Sequence, residues 1–254
     1  MISLIACDID GTLLHGTETK IAPRVFEEIR RLQGKGVLFC PASGRQYHSL
    51  ENLFAPVSRS LHFLCENGAA IFAPGGKLLC KTPFQREFAM KLSWKIMENP
   101  DCEVFISGQN TTYLCPKSPE IVDRTMNFTG NNVCIVSSPD EVPEEVIKVS
   151  AYCNRGAVAE KENLSFPWAA HAGPTVAGEK WLDFTLSTKG TGIRQLCEIL
   201  GIDPGDVMAM GDNDNDTAML DAVGHPYIME NAAPHLLEKY SNHCRRVEEL
   251  LARL

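Results

Sequence analysis

Ser3-Leu4-Ile5-Ala6-Cys7-Asp8-Ile9-Asp10-Gly11-Thr12 decides how this chain is read: a short apolar run stops abruptly in two carboxylates and a glycine. An unbroken apolar run entering a turn predicts a central parallel strand covered on both faces, in the class of sheet whose ligands bind beyond the carboxyl ends of the strands. Asp8 and Asp10 stand at that end. Two carboxylates so close repel each other and are costly to leave unpaired, so the pair needs a cation or a shared proton. A lone Asp-x-Asp also fits a solvated turn, and the rest of the chain has to choose.

Working outward, Pro23 opens a helix whose Val25, Phe26, Ile29 and Leu32 share one face and which ends near Gly34 or Gly36. Val37-Leu38-Phe39-Cys40 is a second apolar run, and it too ends in small and polar groups, Pro41-Ala42-Ser43-Gly44-Arg45. A helix over about 47–54 leads to a third run, 61–64, that stops at Glu66-Asn67-Gly68. Strand, helix, strand, helix, strand predicts a parallel sheet, because right-handed crossovers return the strands side by side. From about Thr82 the texture changes to one helix, 86–97, and strands of alternating character at 102–106, 111–114, 133–136 and 146–152. The first pattern resumes with a helix at 191–200 closed by Gly201, the apolar run Val207-Met208-Ala209-Met210, and a strand at 227–229. The predicted class is therefore α/β: a doubly wound, Rossmann-like parallel-sheet core from residues 1–82 and 187–254, with a smaller α+β domain inserted at 83–186.

The totals narrow the function. A 254-residue chain with 44% hydrophobic and 22% charged residues has the composition of an ordinary globular protein, and its net charge of −8, without any long Lys/Arg run, argues against a nucleic-acid partner. The ten cysteines are scattered through apolar runs with no Cys-x-x-Cys, which reads as reduced, mostly buried thiols in a cytoplasmic protein. No apolar run approaches the length that spans a bilayer, so no membrane partner is expected.

Four polar clusters share one address, just after a strand or at a helix start: Asp8/Asp10, Ser43/Arg45, Lys189 and Asp212/Asn215/Asp216. Acids gathered on one edge raise each other's pKa, and oxygen donors without a Cys/His set favour Mg²⁺ over Zn²⁺. A calcium loop from Asp212 fails, because its sixth position is Thr217 where glycine is required and its twelfth is Val223 where glutamate is required. Lys189 at a helix N-terminus opposes the helix dipole unless an anion lies between them. Acids for a metal, a lysine, a hydroxyl and backbone amides together suit a phosphoryl group.

Taken in order, Asp8-Ile9-Asp10-Gly11-Thr12, Ala42-Ser43-Gly44-Arg45, Lys189-Gly190 and Gly211-Asp212-Asn213-Asp214-Asn215-Asp216 resemble the four motifs of the haloacid dehalogenase superfamily, and more narrowly its Cof-type phosphatases, which carry an α/β cap between the second and third motifs. Glu66-Asn67-Gly68-Ala69 and Asn231-Ala232 also look like family features, whereas His243-Cys244-Arg245-Arg246 departs from the acidic-glycine turn often found there. The resemblance implies a Mg²⁺-dependent phosphatase acting on a small phosphorylated metabolite. Asp8 would be the nucleophile, and Asp10 the general acid and then the base. Mg²⁺ would be held by the Asp8 carboxylate, the Asp10 main-chain carbonyl and Asp212. Ser43, Gly44, Lys189 and Asn215 would bind the phosphoryl oxygens, with Thr12 and Asp216 in support. Arg45 and Asp214 are not expected to touch the phosphoryl group, Asp214 being read as a solvated loop acid. A phosphomutase and a non-catalytic phosphate binder are the alternatives. Glu179, Lys180, Trp181 and Asp183, near the return from the insert, are the first candidates for substrate contacts, with an ordinary strand in which Trp181 is packed as the favoured reading.

Overall fold

Leu4, Ile5, Ala6 and Cys7 are fully buried, and strand Leu4–Cys7 is paired along both edges, parallel to Leu38–Pro41 on one side and to Val207–Gly211 on the other. The computed structural model describes residues 2–128 and 130–254, and the side chains of all of these except 124 and 126–128. Leu4 and Ala6 pack with Ile193 and Leu196 of helix Lys189–Leu200, and strand alternation sends Ile5 and Cys7 to the opposite face. Burial on both faces is why the run is apolar without alternation. His225–Met229 and His243–Cys244 extend the sheet, all in parallel register, so that Leu4–Cys7 is flanked by a strand from each end of the sequence.

The third apolar run departs from expectation. Phe63–Cys65 does not continue the parallel sheet; one parallel bridge, Ala42 to Leu64, ties it to the end of Leu38–Pro41. It pairs antiparallel with Ala70–Ala73, in a three-stranded sheet completed by Lys77–Lys81. The reason lies at Glu66-Asn67-Gly68, whose φ angles of 52°, 57° and 93° are left-handed in succession. They reverse the chain at once, so the strand returns as a hairpin where a helical crossover would otherwise follow.

The chain folds into two compact units. The first comprises the residues up to Ser43, Leu50–Cys80 and Thr188–Leu254; the second comprises Lys81–Ser187 together with the short segment Gly44–Ser49. Sequence texture alone gives no hint that residues 44–49 pack with the insert.

Within the second unit, a six-stranded sheet runs in the order Thr175–Val176, Trp181–Phe184, Lys148–Cys153, Cys102–Ser107, Thr112–Leu114, Val133–Ile135. Helix Arg86–Glu98 covers it with Ala89, Leu92 and Ile96. The last two strands are parallel, and helix Pro119–Phe128, which the sequence pattern did not reveal, lies in the connection such a pair requires. Trp181 packs edge-on against Phe105 and Tyr152, with ring centroids 4.8 and 5.1 Å away, as its strand reading anticipated. The cysteines are free thiols, all buried except Cys80 and Cys134. No described helix is long and apolar enough to cross a membrane.

Candidate active site

At the carboxyl edge of the parallel sheet the Asp8 amide donates to Met210 O at 2.9 Å, extending the ladder by one residue and burying Asp8 to 5% exposure. The chain then turns tightly: the amides of Thr12, Leu13 and Leu14 converge on the carbonyl of Ile9 at 3.3, 2.9 and 2.8 Å. This turn buries Thr12, whose hydroxyl donates to Asp212 Oδ1 at 3.3 Å, and leaves Asp10 exposed. Asp212 follows strand Val207–Gly211 directly. Asn231, two residues beyond the Met229 strand end, donates to Gly11 O at 3.0 Å and reaches Asp212 Oδ2 at 3.4 Å, tying the two loops together.

Lys189 enters from the third segment. Thr188 caps its helix, accepting from the Thr191 amide at 3.1 Å while its own amide donates to Thr191 Oγ1 at 2.9 Å. The cap fixes the first turn, and Lys189, 1% exposed, projects its ammonium to Asp8 Oδ1 at 2.5 Å and Asp216 Oδ1 at 2.6 Å. The second oxygen of Asp216 accepts the amides of Asp212 and Asn213 at 3.0 and 3.1 Å. Asp216 therefore braces the loop and the lysine at once. Asn215 is half-buried in the same single helical turn, whereas Asp214 points into solvent beside His235 at 2.7 Å, the solvated role expected of it.

Ser43 is fixed by its backbone: its amide donates to Leu64 O at 2.9 Å and its carbonyl accepts from Asn67 N at 3.0 Å. The left-handed Glu66–Gly68 turn makes that second bond possible. A Cβ at Gly68 would lie 2.3 Å from Thr188 O, so the same turn abuts the cap of the Lys189 helix. The roles of Asn67, Gly68 and Asn231 were not legible in the sequence beyond their family-like setting; the Asn-Gly pair after an apolar strand was the one available signal, since both residues tolerate positive φ.

A family model for haloacid dehalogenase-like hydrolases matches residues 5–249. The chain belongs to that family. It is similar to the 5-amino-6-(5-phospho-D-ribitylamino)uracil phosphatase YbjI of Escherichia coli, with 25% identity over 234 residues that cover 91% of this chain and 86% of that protein. It is also similar to the HMP-PP phosphatase of Cronobacter sakazakii, 26% identical over 261 residues that cover 97% of this chain and 92% of the relative. Its fold matches that of BT4131, a sugar phosphatase of haloacid dehalogenase subclass IIB, at a TM-score of 0.84 and 19% identity, covering 99% of this chain and 98% of that one. The family resemblance and fold class read from the motifs are borne out, and with them the reading of the chain as a hydrolase.

For this haloacid dehalogenase-like hydrolase the donor set fits a divalent cation. Carboxylate oxygens of Asp8, Asp212 and Asp216 lie within 4.8 Å of one another, and the ammonium of Lys189 is the charge set against them. Burial, then the Asp216 charge, hold the Asp8 carboxyl well above the usual carboxylate range against the pull of Lys189. Burial and the Asp216 charge push Asp212 up to about 6. Burial draws the Lys189 ammonium down, but Asp216 and Asp8 more than reverse this, so it stays protonated. Surplus negative charge among hard oxygen donors is what a divalent ion relieves. With Asp216 occupied by Lys189 and two amides, Asp8 and Asp212 are the carboxylates that can turn to the ion. The Asp10 carboxylate is not in this group.

Proposed function

We propose that this chain is a Mg²⁺-dependent phosphatase that hydrolyses a small phosphorylated metabolite, a sugar phosphate or a similar monoester, through an aspartyl-phosphate on Asp8. The buried Lys189 ammonium clamped between Asp8 and Asp216 carries the reading. It fixes one carboxylate as a nucleophile at a sheet edge and places a cation where phosphoryl oxygens would gather. Asp8, the Asp10 main-chain carbonyl and Asp212 would hold the metal. When bound, Mg²⁺ supplies positive charge against the carboxylates and the phosphoryl group.

The remaining chemistry belongs to the side chains. An oxygen of Asp8 attacks phosphorus as the ester P–O bond breaks, and Asp10, exposed on the loop, gives its proton to the departing oxygen. Water then attacks the aspartyl-phosphate, Asp10 takes up the water's proton, and phosphate leaves with Asp8 restored. Ser43, the Gly44 amide, Lys189 and Asn215 bind the phosphoryl oxygens throughout, while Thr12 positions Asp212 and Asp216 positions Lys189. The unit carrying all of these residues except Gly44 is read as the catalytic core, and the inserted unit as the cap that selects the substrate and excludes water. The two relatives described above are named for small phosphorylated compounds, which supports the substrate class.

A screen of phosphorylated metabolites with and without Mg²⁺, run beside Asp8→Asn, tests this. Release of inorganic phosphate that needs Mg²⁺ and vanishes in the variant is expected. Near-normal turnover by Asp8→Asn, or an isomeric sugar phosphate in place of free phosphate, overturns it.

A further inference from the structure

The division between the two compact units falls at the peptide joining Ser43 to Gly44. On one side, Ser43 is held through its amide and carbonyl by Leu64 and Asn67. On the other, the carbonyl of Gly44 accepts from the ammonium of Lys148 at 2.7 Å. Two residues on, Gln46 accepts from the Asn132 amide at 2.8 Å and donates to Thr112 Oγ1 at 3.4 Å. The segment after Ser43 is thus wired to the inserted unit's own strands.

Lys148 is an unusual choice for that task. It is 8% exposed, and its charge is set against Asp183, 4% exposed, at 3.7 Å. Asp183 is itself fixed by Ser150, whose hydroxyl donates to Oδ1 at 2.6 Å. A buried ammonium is expensive to desolvate, and an apolar side chain of similar volume commonly gives equal or greater stability. What methionine could not supply is a charged donor aimed at one carbonyl, a bond about twice as strong as a neutral one.

We propose that Lys148, steadied by Asp183, is a positioning residue: by holding the Gly44 carbonyl it sets the Gly44–Arg45 peptide, and through the Gly44 backbone the adjoining Ser43 hydroxyl that grips the phosphoryl group. This rests on the reading of Ser43 as a phosphate ligand given above. Lys148 itself does not touch the substrate.

A double-mutant cycle between Lys148→Met and Ser43→Ala separates action through Ser43 from direct contact. The readouts are calorimetric affinity for inorganic phosphate in the presence of Mg²⁺, and KM and kcat on any ester that is turned over. Lys148→Met is expected to weaken phosphate binding and raise KM about tenfold while changing kcat less than about threefold, and Lys148→Arg to restore most of the loss. In the Ser43→Ala background the Lys148 substitution should add less than about a factor of two. Unchanged phosphate affinity in a folded Lys148→Met protein, or losses that multiply in the double variant, overturns the proposal. Should Lys148→Met fail to fold, Asp183→Asn gives the same reading, with a smaller loss that must also disappear on the Ser43→Ala background. The two conclusions can fail separately. Phosphate binding that depends on Lys148 in a protein without phosphatase activity would refute the proposed function alone, and an active enzyme indifferent to Lys148 would refute only the positioning role.

Discussion

Gly11 and Asp212, 201 residues apart in sequence, are so close that a Cβ at position 11 would lie 2.1 Å from Asp212 Oδ2. Gly11 also has φ of 95°, where a side chain is strained in any surroundings. The glycine therefore does two things for the site: it permits the turn after Asp10, and it leaves the space that the Asp212 carboxylate fills. Gly11→Ala is expected to push Asp212 aside and lower kcat/KM at least about 100-fold, the scale of a 1 Å misplacement in a reacting site. Steady-state kinetics together with thermal unfolding would check that the loss is one of activity and not of folding.

Asp8→Asn and Asp10→Asn should fail in different ways. The first removes the proposed nucleophile while leaving Lys189 its bond to Asp216, so the fold should persist and no phosphorylated enzyme should form. The second leaves Asp8 and, on the proposed acid–base role of Asp10, weakens proton transfer in both halves of the reaction, with an expected slowing of each by about 10²–10⁴-fold. Rapid-quench measurement of acid-stable protein phosphorylation distinguishes them, and matching defects would count against the division of labour.

Asp216→Asn tests a stabilising role. Asp216 is completely buried and its two oxygens accept an ammonium and two amides, so the amide side chain leaves at least one of those donors unmet. Breaking a buried pair of this kind costs about 3–5 kcal/mol. For a chain of this size that lowers Tm by roughly 6–20 °C, well within reach of a calorimetric scan.

The pH dependence of metal binding follows from Asp212, pushed up to about 6 by burial and the Asp216 charge. Between about pH 4, the ordinary carboxylate value, and pH 6, the folded ion-free chain holds a proton there that the unfolded chain has lost. This group's contribution to stability therefore falls as pH rises through that window. A divalent ion needs the ionised forms of Asp212 and of Asp8, which is raised as well, so its affinity should rise with pH through about 6. Calorimetric titration with Mg²⁺ should give about tenfold weaker binding at pH 5 than at pH 7.5, with proton release at the lower pH. A larger Mg²⁺-induced gain in Tm at pH 7.5 than at pH 5 is the companion result.

How much of this was legible beforehand depended on whether the signal was local. Asp8, Lys189 and Asp212 announce themselves because each ends a strand or opens a helix, and burial leaves those strands uniformly apolar. The antiparallel return after Cys65 is not legible in the sequence because it depends on Glu66 adopting a left-handed φ of 52°, which glutamate does not advertise. Strand His243–Cys244 has two residues and exists only because Met229 and Ile228 offer an edge. The commitment of Gly44–Ser49 to the second unit rests on Lys148, Thr112 and Asn132, partners far away in the chain.

The pairing of Leu4–Cys7 with Val207–Gly211 also bears on how the protein is made. During synthesis the central strand emerges first, yet the partner for one of its edges appears only after the entire insert has been translated. At about 5–20 residues per second that interval is roughly 10–40 s. Over that time an apolar edge, later the middle of the parallel sheet, is open to mispairing. The inserted unit, whose strands among the described residues pair with one another, can fold meanwhile, so the last part of the site to form is the half that brings Lys189 and Asp212 to Asp8.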